Sequence, residues 1–250
     1  MRGDILKKKL MVLCAVAIMI STCLTGCKMN SGKIRFGSAG IGGTYQIFGD
    51  TFANLISSKS KKYNIEVKTT AGSAANLRLL SKDYIQMAVA QMDLINDAYN
   101  RTGIFENDKK YQGYRAVASL YTEACQIVVP ADSDIQSMDD LEGKKVCIGE
   151  EESGTEQNAL QILNAYGLNE RLVDTVNLNY TDAAKKLKSG DIDAFFCTAG
   201  VQTTVINELS KQCKIRLVSL DQKGVSRLKK SYKFYTEYTI CLLYTSDAAD

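Results

Sequence analysis

One stretch decides the fold: residues 34–56 read IRFGSAGIGGTYQIFGDTFANLI. The first four residues are a β-type run, and four glycines between positions 37 and 43 form the turn that follows. Apolar residues then recur at spacings of four, seven and eight residues, as on one face of a helix: Phe48, Phe52, Leu55 and Ile56. A strand, a glycine-rich turn and an amphipathic helix in this order indicate an α/β protein whose helices cover parallel sheets.

The same pattern recurs along the chain. Further β-type runs lie at 65–69, 87–90, 116–121, 126–129, 145–148, 176–178, 192–197 and 215–218, and later helices are predicted from residue 94 and at 154–166, 183–187 and 201–209. Two α/β sets joined by extended segments predict two lobes with a cleft between them. We place lobe 1 at 34–127 and lobe 2 at 128–222, with the boundary near the only proline, Pro130, and a return to lobe 1 at 223–240.

Composition and charge are those of an ordinary globular protein. The chain has 250 residues, of which 45% are hydrophobic and 24% charged, enough for a sizeable core. The formal charge of +3 arises in the first ten residues, where four basic side chains accompany Asp4, and the rest of the chain is neutral. Nucleic-acid binding needs a clustered positive excess, so we expect no nucleic-acid partner.

The N-terminus has the pattern of a secretion signal. A basic stretch precedes eleven apolar residues at 10–20, and residues 24–27 read LTGC. As a helix this run spans about 16 Å, about half of a bilayer core, which is typical of a signal peptide. The ending resembles the bacterial lipobox, so we expect a lipoprotein signal peptide at 1–26, lipidation of Cys27, a tether at 27–33 and an extracytoplasmic protein anchored to the cell membrane. An uncleaved anchor and a conventionally cleaved signal are the alternatives.

The cysteines do not form a metal-binding pattern. Cys125, Cys147, Cys197 and Cys213 are widely spaced beside apolar residues, and the chain has no histidine. This spacing favours buried free thiols over a zinc site, while one or two disulfides of open pairing are the alternative in an oxidising compartment. We expect neither a metal nor a cofactor.

Three loops place backbone amides where α/β sheets bind ligands, between the carboxyl end of a strand and the start of a helix. They lie at 40–45 (GIGGTY), 70–73 (TAGS) and 153–156 (SGTE). A helix start carries unpaired N–H groups and a partial positive charge, which suit an anion. Capping alone is the alternative for Ser73, and an S-x-x-E capping box explains Ser153 and Glu156 without a ligand. The glycine beside Thr155 favours an anion site.

Together with four further segments, these loops resemble the TAXI family of TRAP transporter solute receptors. The further segments are 91–93 (QMD), 120–123 (LYTE), 191–196 (DIDAFF) and 200–203 (GVQT), and the similarity runs in order over residues 34–240. The resemblance implies an α/β, two-lobed periplasmic-binding-protein-like (Venus flytrap) fold that closes over a small carboxylate, such as a glutamate-like amino acid or an organic acid. It also implies delivery of that ligand to the permease subunits of a TRAP-type secondary transporter, without catalysis.

The resemblance implies the ligand contacts as well. They are Gly43, Thr44 and Tyr45 in the first loop, Ser73 and Asn76 in the second, Gln91, Asp93 and Tyr121 along the cleft, and Ser153, Gly154, Thr155, Gly200 and Gln202 on the opposite lobe. Amides at helix starts would take the carboxylate, and an acid such as Asp93 would take an ammonium group. Tyr45 and Tyr121 would cover apolar surface.

The chain departs from the family pattern in three places. Glu150, Glu151 and Glu152 stand where the family is rich in glycine, and Gln202 stands where it commonly has proline. Carboxylates beside an anion site oppose a second negative charge on the ligand, and a solvated loop at a helix start is the alternative. Residues 241–250 (CLLYTSDAAD) do not resemble the family, so we expect a non-native tail and a truncated C-terminus.

Other functions fit parts of the pattern. A binding protein for a thiamine precursor or a sulfonate would share the two-lobed plan, and a flytrap-derived enzyme would turn its ligand over. A surface lipoprotein that adheres to another protein would need no closable cleft. Because the chain has no histidine, the side chain best suited to proton transfer near neutral pH, we expect a binding protein and not an enzyme.

Overall fold

A computed structural model describes residues 33–109, 111–201 and 203–241. The predicted signal peptide, the lipidation at Cys27, the contact at Gln202 and most of the predicted tail lie outside these residues. Within the described ranges, no helix is both long enough and apolar enough to cross a membrane.

The first lobe is built on a three-stranded sheet. Its strands are β1 (Lys33–Gly37), β2 (Asn64–Lys68) and β3 (Met87–Ala88), in the order β2-β1-β3, with β1 and β3 parallel. Each strand leads into a helix: α1 (Thr44–Lys59), α2 (Ser73–Ser81) and α3 (Met92–Asn100), the last followed by a 3₁₀ turn at Gly103–Phe105. The strand, turn and helix predicted from residues 34–56 are therefore β1 and α1.

A buried glycine brings α1 close to the sheet. A methyl group at Gly49 would lie 3.1 Å from Val67 and 3.3 Å from Phe36, so the glycine lets the helix rest directly on β1 and β2 without displacing these side chains. The packed face of α1 consequently runs through Gly49 and Ile56. Leu55 falls outside it and is 53% exposed, so its predicted place in the core was wrong.

The second lobe is built on a five-stranded sheet. Its strands are β4 (Ala124–Pro130), β5 (Lys145–Gly149), β6 (Asp174–Asn177), β7 (Ala194–Ala199) and β8 (Ile215–Leu217), in the order β6-β5-β7-β4-β8. β5 is parallel to β6 and β7, whereas β4 is antiparallel to β7 and β8. The predicted parallel pairing holds for β5, β6 and β7 and was wrong for β4, which is antiparallel to both of its neighbours. Residues 116–121, also predicted as a strand, form an irregular connection into β4.

Four helices cover the two faces of this sheet. They are α4 (Gly154–Ala165), α5 (Tyr180–Ser189), α6 (Thr204–Ser210) and α7 (Gln222–Ser231), with a 3₁₀ turn at Asp139–Leu141. Phe195 and Phe196 alternate along β7, so that Phe196 packs with α4 and α7 and Phe195 packs with α5 and α6. Both rings are fully buried. The cysteines at 125, 147, 197 and 213 are free thiols.

Candidate functional site

The carboxyl ends of strands from both lobes face one cavity. The loops after β1 and β2 line it from the first lobe, and the loops after β5 and β6 line it from the second. The segment that enters β4 contributes Tyr121 and Glu123 between the lobes. The cavity is small, about 40 Å³, which is room for a few water-sized groups.

Most of the predicted ligand contacts lie around this cavity. Those that line it are Gly43, Thr44, Tyr45, Ser73, Gln91, Tyr121, Ser153, Gly154 and Thr155. The loops at 40–45, 70–73 and 153–156 therefore meet at one cavity. Their meeting depends on the approach of the two lobes, which no single loop encodes.

Three other predicted contacts lie away from the cavity lining. Asn76 is fully buried behind the first loop, where its Nδ2 donates to the carbonyls of Ser38 at 2.7 Å and Val89 at 2.9 Å. Asp93 lies on α3 and accepts a hydrogen bond from a second-lobe amide. The carbonyl of Gly200 accepts from a glutamine on β4 at 3.5 Å. Asn76 therefore holds the loops of the first lobe together and Asp93 joins the two lobes, whereas the contact of Gly200 lies within the second lobe.

Helix starts supply hydrogen-bond donors from both lobes. α1 and α2 begin after Gly43 and Gly72, and neither helix receives a side-chain cap. Gly72 has a φ of +132°, a conformation that favours glycine, and it turns the chain from β2 into α2. The start of α4 lies opposite, capped by Ser153, whose Oγ accepts from the amide of Glu156 at 2.9 Å. In α2 the amide of Ala75 already donates to the carbonyl of Glu152 in the second lobe at 3.1 Å, and first-turn amides that have no acceptor can bind an anion.

A buried chain of hydroxyls lies beside the start of α4. Thr155 Oγ1 and Tyr180 Oη are 2.5 Å apart, and Tyr180 donates its own proton to the carbonyl of Thr198 at 2.9 Å. The proton between the two hydroxyls therefore comes from Thr155. Burial raises the pKa of Tyr180 well above its ordinary value, so this hydroxyl stays neutral.

Glu123 is the acid between the lobes. Its carboxylate accepts from the hydroxyls of Tyr45 at 3.0 Å and Tyr121 at 3.4 Å. Burial raises its pKa to about 7, although the tyrosine donors act in the opposite direction. A carboxyl group near half protonation at neutral pH therefore borders the cavity.

The three consecutive glutamates differ in their surroundings. Glu150 lines the cavity, facing Gly40 of the first lobe, and burial raises its pKa. Glu151 is exposed. Glu152 adopts a φ of +63° and pairs with Arg78 of α2, Nε to Oε1 3.0 Å. A wholly solvated loop, the alternative considered for this segment, describes Glu151 alone.

A side-chain network joins the lobes beside the cavity. Gln91 Nε2 donates to Asn158 Oδ1 at 3.0 Å, and Asn158 Nδ2 donates to Asp93 at 3.3 Å and to Tyr235 at 2.9 Å. Burial raises the pKa of Asp93, while the Asn158 donor lowers it. The side chain of Gln91 packs directly over Gly154, and a Cβ at position 154 would collide with the side-chain amide of Gln91.

Several lining residues were missed from the sequence. Asn179 and Tyr180 lie in the lining, at the start of α5 and directly after β6. The other three loops were predicted because each lies between the end of a strand and the start of a helix. The segment of Asn179 and Tyr180 has the same position, so the same criterion would have predicted it. Glu123 stood in a segment used for the resemblance, but no local pattern places its side chain in the cavity. In the ranges that the structure describes, no three His, Cys, Asp or Glu side chains group as metal ligands.

Comparison with known families corrects one prediction. A sequence model of the NMT1-like family matches residues 36–249. The assignment to the TAXI family of TRAP receptors was therefore wrong, because a different family accounts for nearly the whole described chain.

Solved structures share the fold over most of the chain. The alkanesulfonate-binding protein SsuA from Xanthomonas axonopodis pv. citri, bound to MOPS, is 18% identical, with a TM-score of 0.51 over 75% of this chain and 60% of that one. A binding protein component of an ABC phosphonate transporter from Pseudomonas aeruginosa is 12% identical, with a TM-score of 0.53 over 80% of this chain and 73% of that one.

An ancestral arginine-binding protein bound to arginine is 19% identical, with a TM-score of 0.50 over 81% of this chain and 93% of that one. The chain spans about three fifths of the length of the alkanesulfonate-binding protein. These similarities confirm the predicted two-lobed, periplasmic-binding-protein-like α/β fold.

Proposed function

Because the chain belongs to the NMT1-like family and has the two-lobed fold of solved solute-binding proteins, we propose that it is an extracytoplasmic solute-binding protein. It captures one small molecule between its lobes and hands it unchanged to a membrane permease. The basic and apolar leader with its LTGC ending supports a position outside the cytoplasm on a lipid anchor at Cys27.

The observation that carries the proposal is the convergence of helix starts from both lobes on one cavity. α1 and α2 belong to the first lobe and α4 to the second, and residues at all three starts line the same space. A ligand in this position contacts both lobes only when they are together. Binding therefore favours the closed arrangement, which is the property a transport receptor needs.

The similar structures support a ligand that has an acidic group. They include an alkanesulfonate-binding protein, a binding component of a phosphonate transporter and an arginine-binding protein. Sulfonates, phosphonates and amino acids share an acidic group whose several oxygens can each accept a backbone amide. We therefore propose a small acid, a carboxylate or a sulfonate, as the ligand.

The partner in the membrane is proposed to be an ABC-type permease. The second of these similar structures is a binding protein component of an ABC phosphonate transporter. A receptor of this class has no catalytic step, in line with a chain that has no histidine.

Filling the cavity tests the proposal. Gly43 lines it with a φ of −90°, and an added Cβ would make ordinary contacts at 3.4 Å, so Gly43→Leu places a side chain in the ligand space with little backbone strain. Gly200→Leu is the matched control, because a Cβ there meets nothing within 4 Å and the residue lies outside the lining. Calorimetry with sulfonates, phosphonates, carboxylic acids and amino acids measures binding in each protein.

We expect at least one of these small acids to bind the wild-type protein and the Gly200→Leu variant with equal affinity. Gly43→Leu should weaken that binding at least tenfold while the variant stays folded. Equal binding by Gly43→Leu would place the ligand elsewhere. Chemical conversion of the ligand by the wild-type protein would show that it is an enzyme and would contradict the proposed receptor function.

A further inference from the structure

The side chains around the cavity bring negative charge and no positive charge. Glu123 lines it between the lobes and Glu150 from the second lobe, while no lysine or arginine in the described ranges does so. The helix starts suit an acidic group, but a ligand with only negative charge would also meet two carboxylates. The two carboxylates therefore need a positive charge that no side chain of the described lining supplies.

Three hydroxyl groups around the cavity can act only as acceptors for a ligand. Tyr45 and Tyr121 both direct their protons to Glu123, and Thr155 directs its proton to Tyr180. Each hydroxyl has only one proton, so these three cannot donate to a ligand. Ser73 and Thr44 also hydrogen-bond to Tyr45 and Tyr121, and the lone pairs that remain can accept from a ligand.

A buried amide oxygen adds a further acceptor. Gln91 is held with its Nε2 toward Asn158, which leaves Oε1 on the side of Gly154 in the cavity lining. This atom is buried and has no hydrogen-bond partner among the residues that the structure describes. A buried acceptor without a donor is costly, and a ligand N–H group would satisfy it.

We infer that the solute is a zwitterion, in which an acidic group binds the amides at the helix starts and a protonated amine binds between Glu123 and Glu150. The inference rests on the proposed function and names its substrate class: amino acids, aminosulfonates and aminophosphonates. A primary ammonium group suits this surface because it has three donors, no acceptor and a compact charge. Backbone amides serve the acid and side-chain oxygens serve the amine, so the two ends of the solute are recognised by different chemistry.

The raised pKa values of the two acids are consistent with an amine bound between them. Burial raises the pKa of both Glu123 and Glu150. An amine that binds beside a carboxylate favours its charged form. The solute thus supplies the counter-charge that the protein leaves out.

Matched ligands that differ only in the amine test the inference on the full chain. Suitable pairs are taurine and ethanesulfonate, alanine and propionate, glutamate and glutarate, and 2-aminoethylphosphonate and ethylphosphonate. Calorimetry at about pH 8 keeps the carboxylates charged. We expect the amine-bearing member of at least one pair to bind ten times more tightly than its partner, or better.

Substitution of each acid identifies the groups that hold the amine. Glu123→Gln and Glu150→Gln keep the side-chain size and should each weaken the amine-bearing ligand at least tenfold, with no loss for the amine-free partner. Glu151→Gln is the matched control, because this neighbouring glutamate is exposed and lies outside the lining. It should bind as the wild-type protein does. Circular dichroism verifies that each variant is folded.

The outcomes separate this inference from the proposed function. Amine-free acids that bind within twofold of their partners would overturn the inference and leave a receptor for simple acids. Wild-type affinity in both Glu123→Gln and Glu150→Gln would overturn it as well. No binding by any member of any pair would overturn the inference and the proposed function together.

Discussion

Replacement of Glu123 by glutamine should change the stability of the protein by an amount that depends on pH. The hydroxyls of Tyr45 and Tyr121 donate to different carboxylate oxygens of Glu123, Oε2 and Oε1, and glutamine keeps only one of these oxygens, so the variant loses one of the two hydrogen bonds at every pH. It also removes the carboxylate charge that is buried without a cation. The pH-dependent part of the stability difference therefore isolates the cost of that charge.

The magnitude follows from the pKa of Glu123, which rises from 4.5 to about 7 on folding because of burial. Between these two values the folded protein keeps a proton that the unfolded chain has released, so the wild-type stability falls as the pH rises through this window. A shift of this size corresponds to about 3 kcal/mol. Below about pH 4.5 both states are protonated and the contribution disappears.

Urea denaturation of both proteins at several pH values between about 4.5 and 8 measures the effect. The stability of Glu123→Gln minus that of the wild-type protein should rise by about 3 kcal/mol across the window, since all other titrating groups cancel in the difference. Glu151→Gln, an exposed control, should show a flat difference within about 0.5 kcal/mol. A flat difference for Glu123→Gln would refute the account of a buried carboxyl without a counter-charge.

Three further predictions concern the pH and the contacts between the lobes. Affinity for an amine-bearing solute should fall about tenfold per pH unit below about pH 7, because Glu123 must lose its proton to pair with the amine; a flat calorimetric pH profile would exclude this contact. Gly72→Ala should cost about 1–3 kcal/mol in urea denaturation and weaken solute binding, since φ is +132° and the new methyl would lie 3.4 Å from the Cα of Ser153. Wild-type stability in that variant would show that the turn tolerates a side chain. A double-mutant cycle of Arg78→Gln and Glu152→Gln should give a coupling of about 0.2–1 kcal/mol, because the pair is only partly buried; zero coupling would remove it from the contacts between the lobes.

Local structure follows from local sequence in this chain. The helix predicted at 154–166 is α4 (Gly154–Ala165), and the serine expected to cap it does so through the amide of Glu156. Capping and helix spacing act within a few residues, so a single sequence contains the whole cause. The same holds for the glycine-rich turn before α1.

Strand direction and exact burial depend on distant partners. The buried run that forms β4 has the same apolar pattern in a parallel or an antiparallel strand, and its neighbours β7 and β8 come 64 or more residues later in the chain. Leu55 has helical spacing to Phe48, but the close contact at Gly49 turns the packed face of α1 toward Ile56. Neither the antiparallel direction of β4 nor the exposure of Leu55 can be predicted from the sequence of a single strand or helix.

The family assignment failed for a related reason. Glycine-rich turns and capped helix starts after strands are what a two-lobed α/β fold requires wherever it binds a ligand. Their ordered agreement therefore indicates the architecture, which the solved structures share, and does not separate one family with this architecture from another. In the same way, loops chosen for their amides predict where the cavity lies. They do not predict that Glu123 and Glu150 turn into it.

The closed arrangement of the lobes has favourable and unfavourable contributions. The lobes are bridged by hydrogen bonds such as Gln91 to Asn158 at 3.0 Å and Thr181 to the carbonyl of Ile41 at 3.2 Å, each of which contributes about 1 kcal/mol. Closure also buries the charge of Glu123 and encloses helix-start amides that need an acceptor, which opposes these contacts. A solute with one charge relieves only one of the two costs, whereas a zwitterion relieves both. Since a ligand shifts an equilibrium only by its difference in affinity for the two states, a zwitterion closes this protein more strongly than either a simple acid or a simple amine.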